Sequence, residues 1–348
     1  MIPRIRQVYI QNYRSLAKAW ATLEPFTILV GPNGTGKSNF VDALAFVKDC
    51  LTESPDIALR RRGGFWRTCS RFEPHSGRSI GIKLEFDLGD GLFANYAIEM
   101  SLGTEGPFYA TISRERCLVY KSDGEKYIFE VKEGRLSTSV PGIRPAISPD
   151  RLALTVVSAT EEFRPVYDFL TTMRFYAIVP DRLRGWKSKE SGEFLARDGS
   201  NAAAVLQRLF ESKEDHAHKP WNRIGNLLSK ISSGTQLVTF IEAALPALPS
   251  TGLSRGEIEM LYTISFLQDV GDGQRQAMEA FHMSDGTLRA LALLLAAYQL
   301  GKHSVIAIEE PEATIHPAAA EIILQVLQDA SHERQILVTT HSPDIIDS

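Results

Sequence analysis

The chain has few cysteines, and none lies in a pattern that would hold a metal. Its 348 residues include three, Cys50, Cys69 and Cys117, an odd number without the short spacings of zinc ligands. Small secreted domains are rich in paired cysteines, whereas proteins of reducing compartments are not. We therefore expect a reducing compartment, no disulfide framework and no zinc site.

Long apolar runs and a dominant charge are also missing. The longest apolar stretch, around 290–297, is far shorter than the roughly 20 residues of a membrane-spanning helix, and residues 1–4 lead into a strand pattern rather than a signal peptide. The net charge is −4 and 44% of the residues are hydrophobic. We expect a cytoplasmic protein without a membrane partner, with one large or two closely joined domains.

A glycine-rich motif predicts a triphosphate site. Residues 31–38, here called the phosphate loop, fit G-x-x-x-x-G-K-[ST] between a strand pattern at 26–30, read as buried, and a helical pattern after it. Lys37 is expected to reach the β- and γ-phosphates, and Ser38 to bind Mg²⁺. A chance glycine turn is the alternative, which the flanking strand and helix disfavour. The nucleotide-binding residues are predicted to be Asn33, Gly34, Thr35, Gly36, Lys37, Ser38 and Asn39.

A second strand pattern, at 304–308, ends in two carboxylates, Glu309 and Glu310, here called the acidic pair. A strand beside a phosphate loop can direct one carboxylate at Mg²⁺ and the next at the attacking water. We assign Glu309 to the metal and Glu310 to the water. Taken alone, the two residues fit a solvated acidic turn equally well.

Two more segments extend the pattern. Residues 284–286, Ser-Asp-Gly, open an apolar helix that runs to Tyr298, and such a start suits an anion or an ordinary N-capped core helix. After a Pro-Glu-x-x-x-His-Pro turn, the apolar segment 335–342 ends in Thr-Thr-His-Ser with His341. A lone histidine at a strand end is more often structural, but this one is fourth in an ordered series.

The order of these motifs resembles the ABC-type ATPases of the RecF and SMC kind. It is most similar to the bacterial AAA family ATPases related to the ATPase half of OLD nucleases. The segments 12–15 (Asn-Tyr-Arg-Ser) and 195–201 (Leu-Ala-Arg-Asp-Gly-Ser-Asn) resemble further elements of that group, while 60–250 is weakly covered. The resemblance implies an α/β fold: an ABC-type P-loop ATPase head with an antiparallel β subdomain and an inserted helical lobe.

The resemblance also implies a site shared between two copies. Ser284 and Gly286 would contact the γ-phosphate bound to the opposite subunit, and residues 314–316 would lie at the seam. ATP and Mg²⁺ would be the cofactors, and hydrolysis would let a homodimer or higher oligomer open. One departure is Ser-Asp-Gly where the family usually has Ser-Gly-Gly.

Within one copy, the resemblance assigns Glu310 as the catalytic glutamate and His341 as the switch histidine. Arg14 and Ser15 would lie near the nucleotide. A second departure is Glu309 in place of the usual Asp, which moves the carboxylate outward by about 1.5 Å and is compatible with slow turnover.

The stretch between Lys37 and Ser284 is too long for a bare ATPase core. It shows alternation at 80–132, typical of an antiparallel meander, and a mainly helical pattern at 150–232. Sustained heptads are missing, so we expect a compact lobe rather than a coiled coil. The predicted parts are the N-terminal head at 1–135, a mainly helical insertion at 136–255 and the C-terminal head at 256–348.

An arginine-rich segment suggests a nucleic-acid contact. Residues 58–78 hold six arginines and one acid, with aromatic neighbours, which suits phosphate contacts and base stacking. A solvated loop, or pairing with an acidic partner surface, is the alternative. The candidate arginine patch consists of Arg60, Arg61, Arg62 and Arg67.

Two classes of function remain open. The first is an ATPase that works on DNA or controls a separate effector, such as a nuclease or toxin, in genome maintenance or defence against phage. The second is a nucleotide-gated scaffold with little turnover; a transporter ATPase would need a membrane partner and a shorter insertion. Relatives usually continue beyond the histidine strand, so we expect a longer chain or a partner that supplies the missing elements.

Overall fold

The structure is a computed structural model that divides into two compact units. The first unit comprises Met1–Phe175, His303–Ala307 and Ser331–His341, and the second comprises Tyr176–Lys302, Ile308–Ala330 and Ser342–Ser348. The predicted three-part division stays a prediction. The residues that the structure describes are 2–70, 79–103, 110–132, 134–140, 147–148, 150–188, 190–211, 215–246, 258–301 and 303–342.

Strands and helices alternate irregularly along the described residues. The strands are β1 (Arg4–Tyr13), β2 (Leu16–Thr22), β3 (Phe26–Val30), β4 (Ser79–Asp87), β5 (Leu92–Leu102), β6 (Ala110–Lys121), β7 (Lys126–Lys132), β8 (Arg135–Thr138), β9 (Arg174–Tyr176), β10 (Lys187–Ser188), β11 (Thr235–Pro246), β12 (Ile258–Gly271), β13 (Gln274–Glu279), β14 (Val305–Glu309) and β15 (Gln335–Thr340). The helices are α1 (Lys37–Thr52), α2 (Pro55–Arg61), α3 (Phe65–Thr68), α4 (Leu154–Val157), α5 (Arg164–Thr171), α6 (Pro180–Leu183), α7 (Ala202–Glu211), α8 (Asp215–Ile231), α9 (Asp285–Tyr298) and α10 (Pro317–Ala330).

An antiparallel sheet forms much of the first unit. Its order is β2-β1-β4-β5-β6-β7-β8 within the described residues, and from β4 onward each strand pairs with the next along the chain. In β4 the side chains of Ile80, Ile82, Leu84 and Phe86 are buried at every second position, because alternate residues of a strand face the same side. This is the meander that the alternation predicted.

A second sheet carries the phosphate loop. The order is β3-β15-β14-β9, and β15 pairs with β3 in parallel, with Thr340 opposite Val30. β15 is fully buried, as expected for an inner strand of a parallel sheet. β3 was predicted to be buried, but it is only half-buried because it is the edge strand of this order.

Helix α1 follows the phosphate loop and packs into the first unit through one polar anchor. Most of the helix from Phe40 to Leu51 is buried and apolar, yet Asp42 is also buried. Its carboxylate accepts hydrogen bonds from the Tyr13 hydroxyl at 2.6 Å and from Arg62 at 3.1 Å, and pairs with Arg14 at 3.2 Å. Burial raises the pKa of the Asp42 carboxyl, but these partners outweigh it and the pKa lies below its usual value.

The second unit combines a small sheet with four longer helices. Its strands follow the order β10-β12-β11, with β13 also paired to β12, and α9 packs against α7, α8 and α10. Every residue of α9 from Leu288 to Ala297 except Arg289 is buried, which agrees with the predicted apolar helix. Among the described residues, no helix combines the length and apolar character needed to cross a bilayer.

Replacing Asp42 with Asn is expected to destabilise the fold by about 3 kcal/mol, because the buried guanidinium of Arg62 then loses one of its two carboxylates. Urea denaturation followed by circular dichroism measures the change. The matched control is Asp168→Asn, which breaks an exposed pair with Arg164 and should cost less than about 0.5 kcal/mol. Equal effects in the two variants would show that Asp42 is not an anchor.

Candidate functional site

The phosphate loop has the backbone that a phosphate-binding loop requires. Gly34 and Gly36 have φ values of 81° and 102°, a left-handed region in which other residues are strained. The Lys37 ammonium donates to the carbonyl oxygens of Gly31 at 2.5 Å and Pro32 at 2.9 Å. The Lys37 side chain therefore folds back over the first residues of the phosphate loop.

The N-terminus of α1 is open to an anion. Gly36 is its N-cap, and within the described residues no side chain caps this terminus and no acid lies in its first turn. The backbone N–H groups at a helix start have no partner within the helix, and the helix dipole makes them attractive to negative charge. Ser38 and Asn39 lie in this first turn, and the Ser38 side chain is exposed.

The turn between β1 and β2, which carries Arg14 and Ser15, lies against the phosphate loop. The Asn39 side-chain amide donates to the Ser15 hydroxyl at 2.6 Å. A Cβ at Gly36 would lie 3.2 Å from that hydroxyl and 2.7 Å from the end of the Leu16 side chain, and the φ of 102° would strain any other residue here. Arg14, with φ at 49°, points to Asp42. A role of these residues in binding nucleotide stays a prediction.

His341 lies at the same edge of the sheet as the phosphate loop. Because Thr340 is opposite Val30 in a parallel pair, the next residues of the two strands, His341 and Gly31, leave the sheet at the same level. His341 is exposed, whereas Thr340 is fully buried. The position suits a switch histidine, and that role stays a prediction.

The arginine patch is divided by the structure. The side chain of Arg62 is only 5% exposed and forms ion pairs with Asp42 and Asp49 at 3.0 and 2.8 Å, and it packs on the ring of Phe46. Arg62 therefore stabilises the packing of α1 and α2 and is not presented to a nucleic acid. Arg71 and Arg78 of the same segment lie outside the described residues. The exposed members are Arg60, Arg61 and Arg67.

In the second unit, Ser284 is the N-cap of α9. Its hydroxyl accepts from the Thr287 N–H at 3.2 Å, and the hydroxyls of Ser284, Thr287 and Ser232 form a chain with steps of 2.9 and 3.1 Å. The capped-helix alternative is thus what the geometry shows, and a contact with a γ-phosphate stays a prediction. Asp285 lies in the first turn of the helix, in contrast to α1.

Gly286 allows a close approach of two backbone segments. A Cβ at this position would lie 2.7 Å from the Thr314 carbonyl oxygen, closer than real contacts allow. Thr314 has a φ of 65°, so the segment after the acidic pair turns sharply where it meets α9. Glycine is therefore required here for packing, whatever its role toward a nucleotide.

Each member of the acidic pair contacts an arginine. Arg197 forms an ion pair with Glu309 at 3.1 Å, and Arg289 donates to the backbone carbonyl of Glu310 at 3.0 Å. Glu310 has a φ of 46°, and strained backbone of this kind is concentrated at functional sites. Burial lowers the pKa of Arg289, an effect that the Glu310 charge opposes.

Two arginines of the second unit were not assigned to the site from the sequence. Arg184 donates to the Met283 carbonyl and to Asp285. Arg197 lies in the quoted 195–201 segment, which Asn201 holds by accepting from the Ala196 N–H at 2.7 Å. Both arginines are visible in the sequence, but their acidic partners, Asp285 for Arg184 and Glu309 for Arg197, lie more than a hundred residues further along the chain.

The available side chains fit ATP and Mg²⁺. The glycine backbone, the lysine over the loop and the open start of α1 suit a triphosphate. Magnesium prefers hard oxygen ligands and keeps waters and phosphates among them, and Ser38 and Glu309 are donors of that type. In the described part of the chain no three His, Cys, Asp or Glu side chains cluster as a metal site.

Comparison with known proteins gives a family and a fold. A family model described as "AAA domain, putative AbiEii toxin, Type IV TA system" matches residues 26–347. The crystal structure of an SMC head bound to the C-winged helix domain of ScpA is similar with a TM-score of 0.54 at 16% identity, covering 99% of this chain and 91% of that one. The predicted fold class is confirmed.

Curated relatives match over different lengths. The Old nuclease of Escherichia phage P2 is 23% identical over 99% of this chain and 58% of its own length. The DNA replication and repair protein RecF of Clavibacter michiganensis subsp. michiganensis is 30% identical over 86 residues, 24% of this chain and 21% of that protein. The chain therefore spans less than two thirds of either relative.

Gly286→Ala is expected to destabilise the protein by about 1–3 kcal/mol, because the added methyl group must displace the Thr314 backbone. Thermal and urea unfolding measure this. Gly225→Ala is the matched control: it also lies in a helix, α8, but its Cβ would meet nothing within 4 Å, so a gain of about 0.5–1 kcal/mol is expected. A neutral Gly286→Ala would contradict the close approach.

Proposed function

The chain belongs to this AAA domain family, and on that premise we propose that it binds ATP with Mg²⁺ and hydrolyses it. It is an ABC-type ATPase of the RecF, SMC and OLD kind, as its motif order predicted. The observation that supports nucleotide binding best is the uncapped, acid-free start of α1 behind a loop that Lys37 covers. Turnover and its consequences are the proposed part.

The chain's own residues divide the chemistry among them. The phosphate-loop N–H groups and Lys37 bind and orient the triphosphate, whose negative charge they offset. Bound Mg²⁺ would neutralise phosphate charge, with Ser38 and Glu309 as its protein ligands. Glu310 would orient the attacking water and accept its proton, and its αL backbone sets the direction of that side chain.

The dimer is the second part of the proposal. Ser284 and Gly286 at the start of α9 would meet the nucleotide held by a second copy, so that ATP joins two copies and hydrolysis separates them. Support comes from the motif order and from the exposure of Ser284 at the start of α9. His341 would report the state of the nucleotide at the sheet edge.

We further propose that this switch serves DNA-linked work or a separate effector protein. One relative is a DNA replication and repair protein and another a nuclease, and the exposed arginines of the patch suit phosphate contacts. A scaffold with slow turnover is the second candidate. It is favoured by the Arg197–Glu309 ion pair, since a carboxylate already paired with an arginine is a weaker metal ligand.

Lys37→Ala is expected to abolish ATP binding in a calorimetric titration, whereas Lys18→Ala, which replaces an exposed lysine on β2, should leave it unchanged.

The Glu310→Gln variant should still bind ATP. It should lower turnover by about a hundredfold or more and accumulate as an ATP-bound dimer in light scattering. In the wild-type protein, stimulation of ATP hydrolysis by DNA would favour the effector model. Assembly on ATP with no measurable hydrolysis would favour the scaffold. Tight ATP binding by Lys37→Ala would refute the proposed site.

Reversing Arg60, Arg61 and Arg67 to Glu is expected to weaken DNA binding at low salt by tenfold or more, on the order expected for three lost phosphate contacts. Basal ATP hydrolysis should not change. Fluorescence anisotropy with labelled DNA at several salt concentrations gives the affinity and its salt slope. Reversal of three exposed lysines to Glu gives the same change of net charge and is the control: Lys18, Lys126 and Lys132. An unmoved affinity would remove the patch from the proposal.

A further inference from the structure

Asp285 places a negative charge where the proposed function needs a triphosphate to bind. It lies in the first turn of α9, between Ser284 and Gly286, with its side chain 53% exposed. A helix start favours a carboxylate by itself, but two anions at the same helix start repel each other. Helix α1, whose first turn lacks an acid, does not have this conflict.

Arg184 is bound to the same segment. One terminal nitrogen of its guanidinium donates to the Asp285 carboxylate at 2.6 Å and to the Met283 carbonyl at 3.0 Å. The other donates to Asp181, which is 83% exposed and hence well solvated. The Arg184 side chain is only 20% exposed, so its position is set by packing as well as by charge.

The geometry of these contacts is that of a fixed counterion. Arg184 follows α6, which packs on α9, and it reaches the residues on both sides of Ser284 with one guanidinium nitrogen. Losing the cation would leave Asp285 uncompensated at the helix start and release the Met283 carbonyl. Losing the Asp285 charge as well would remove the repulsion and leave only the carbonyl contact missing.

We propose that Arg184 is a positioning residue for the proposed site: from the place that its Met283 contact gives it, it cancels the charge of Asp285, so that the start of α9 can accept the γ-phosphate of ATP. This inference rests on the proposed function. In the usual Ser-Gly-Gly segment the helix start carries no acid and needs no counterion. Here Arg184 and Asp285 together would give the same uncharged helix start.

The test is a charge-compensation cycle. Arg184→Gln, Asp285→Asn and the double variant are compared with wild type by the ATP concentration that gives half-maximal self-association, measured by light scattering, and by the KM and kcat for ATP. Arg184→Gln should raise that concentration and KM by about tenfold. Asp285→Asn and the double variant should stay within about twofold of wild type. Arg182→Gln, 65% exposed, is the control and should not differ from wild type.

Salt gives a second readout, because screening weakens a repulsion between exposed charges. The defect of Arg184→Gln should shrink as the salt concentration rises from 50 to 500 mM, because the Debye length falls from about 14 to 4 Å over that range. A defect that Asp285→Asn does not rescue, or that is independent of salt, would overturn the inference. Wild type that neither binds ATP nor self-associates would instead overturn the proposed function, and the inference with it.

Discussion

The phosphate loop depends on the buried carboxylate of Asp42. A glycine-rich loop has little rigidity of its own, so its shape is set by the strand before it and the helix after it. Parallel pairing with β15 fixes β3, while Tyr13, Arg14 and Arg62 converge on Asp42 and fix α1. The same cluster holds the turn that carries Ser15 against Gly36. The geometry of the loop is therefore decided by a charge cluster in the core.

The two helix starts at the centre of the proposal differ in chemistry. The start of α1 has a glycine cap and no acid in its first turn, so nothing among its described side chains competes with a phosphate. The start of α9 is already satisfied by Ser284 and carries Asp285. At the first, no described side chain caps the helix in competition with an anion, whereas at the second an anion would share hydrogen-bond donors with the Ser284 cap. Under the proposed function, this difference would make binding tight at α1 and conditional at α9, as a switch requires.

Local patterns predicted the parts of this molecule that local physics determines. The phosphate loop, the meander from β4 onward and the apolar helix α9 follow from spacing alone. The strand β11 was read as part of a helical insertion, because Thr235–Pro246 lacks clean alternation and is stabilised by pairing with β12. Arg62 was placed on a surface patch, since only the fold brings Asp42 and Asp49 to it. A local sequence pattern cannot predict contacts between segments that are distant along the chain.

The departures of this chain from the motif pattern have a common feature. Glu309 keeps the charge of the usual Asp on a longer arm, and Asp285 adds a carboxylate where the pattern has glycine. Each is paired with an arginine from one short stretch, Arg197 and Arg184 respectively. Two acids near a triphosphate would repel it if they stood alone, and two local cations offset that repulsion. The segment between α6 and α7 thus supplies the arginines that pair with both altered motifs of the second unit, and under the proposed function this pairing is what would let those motifs face ATP.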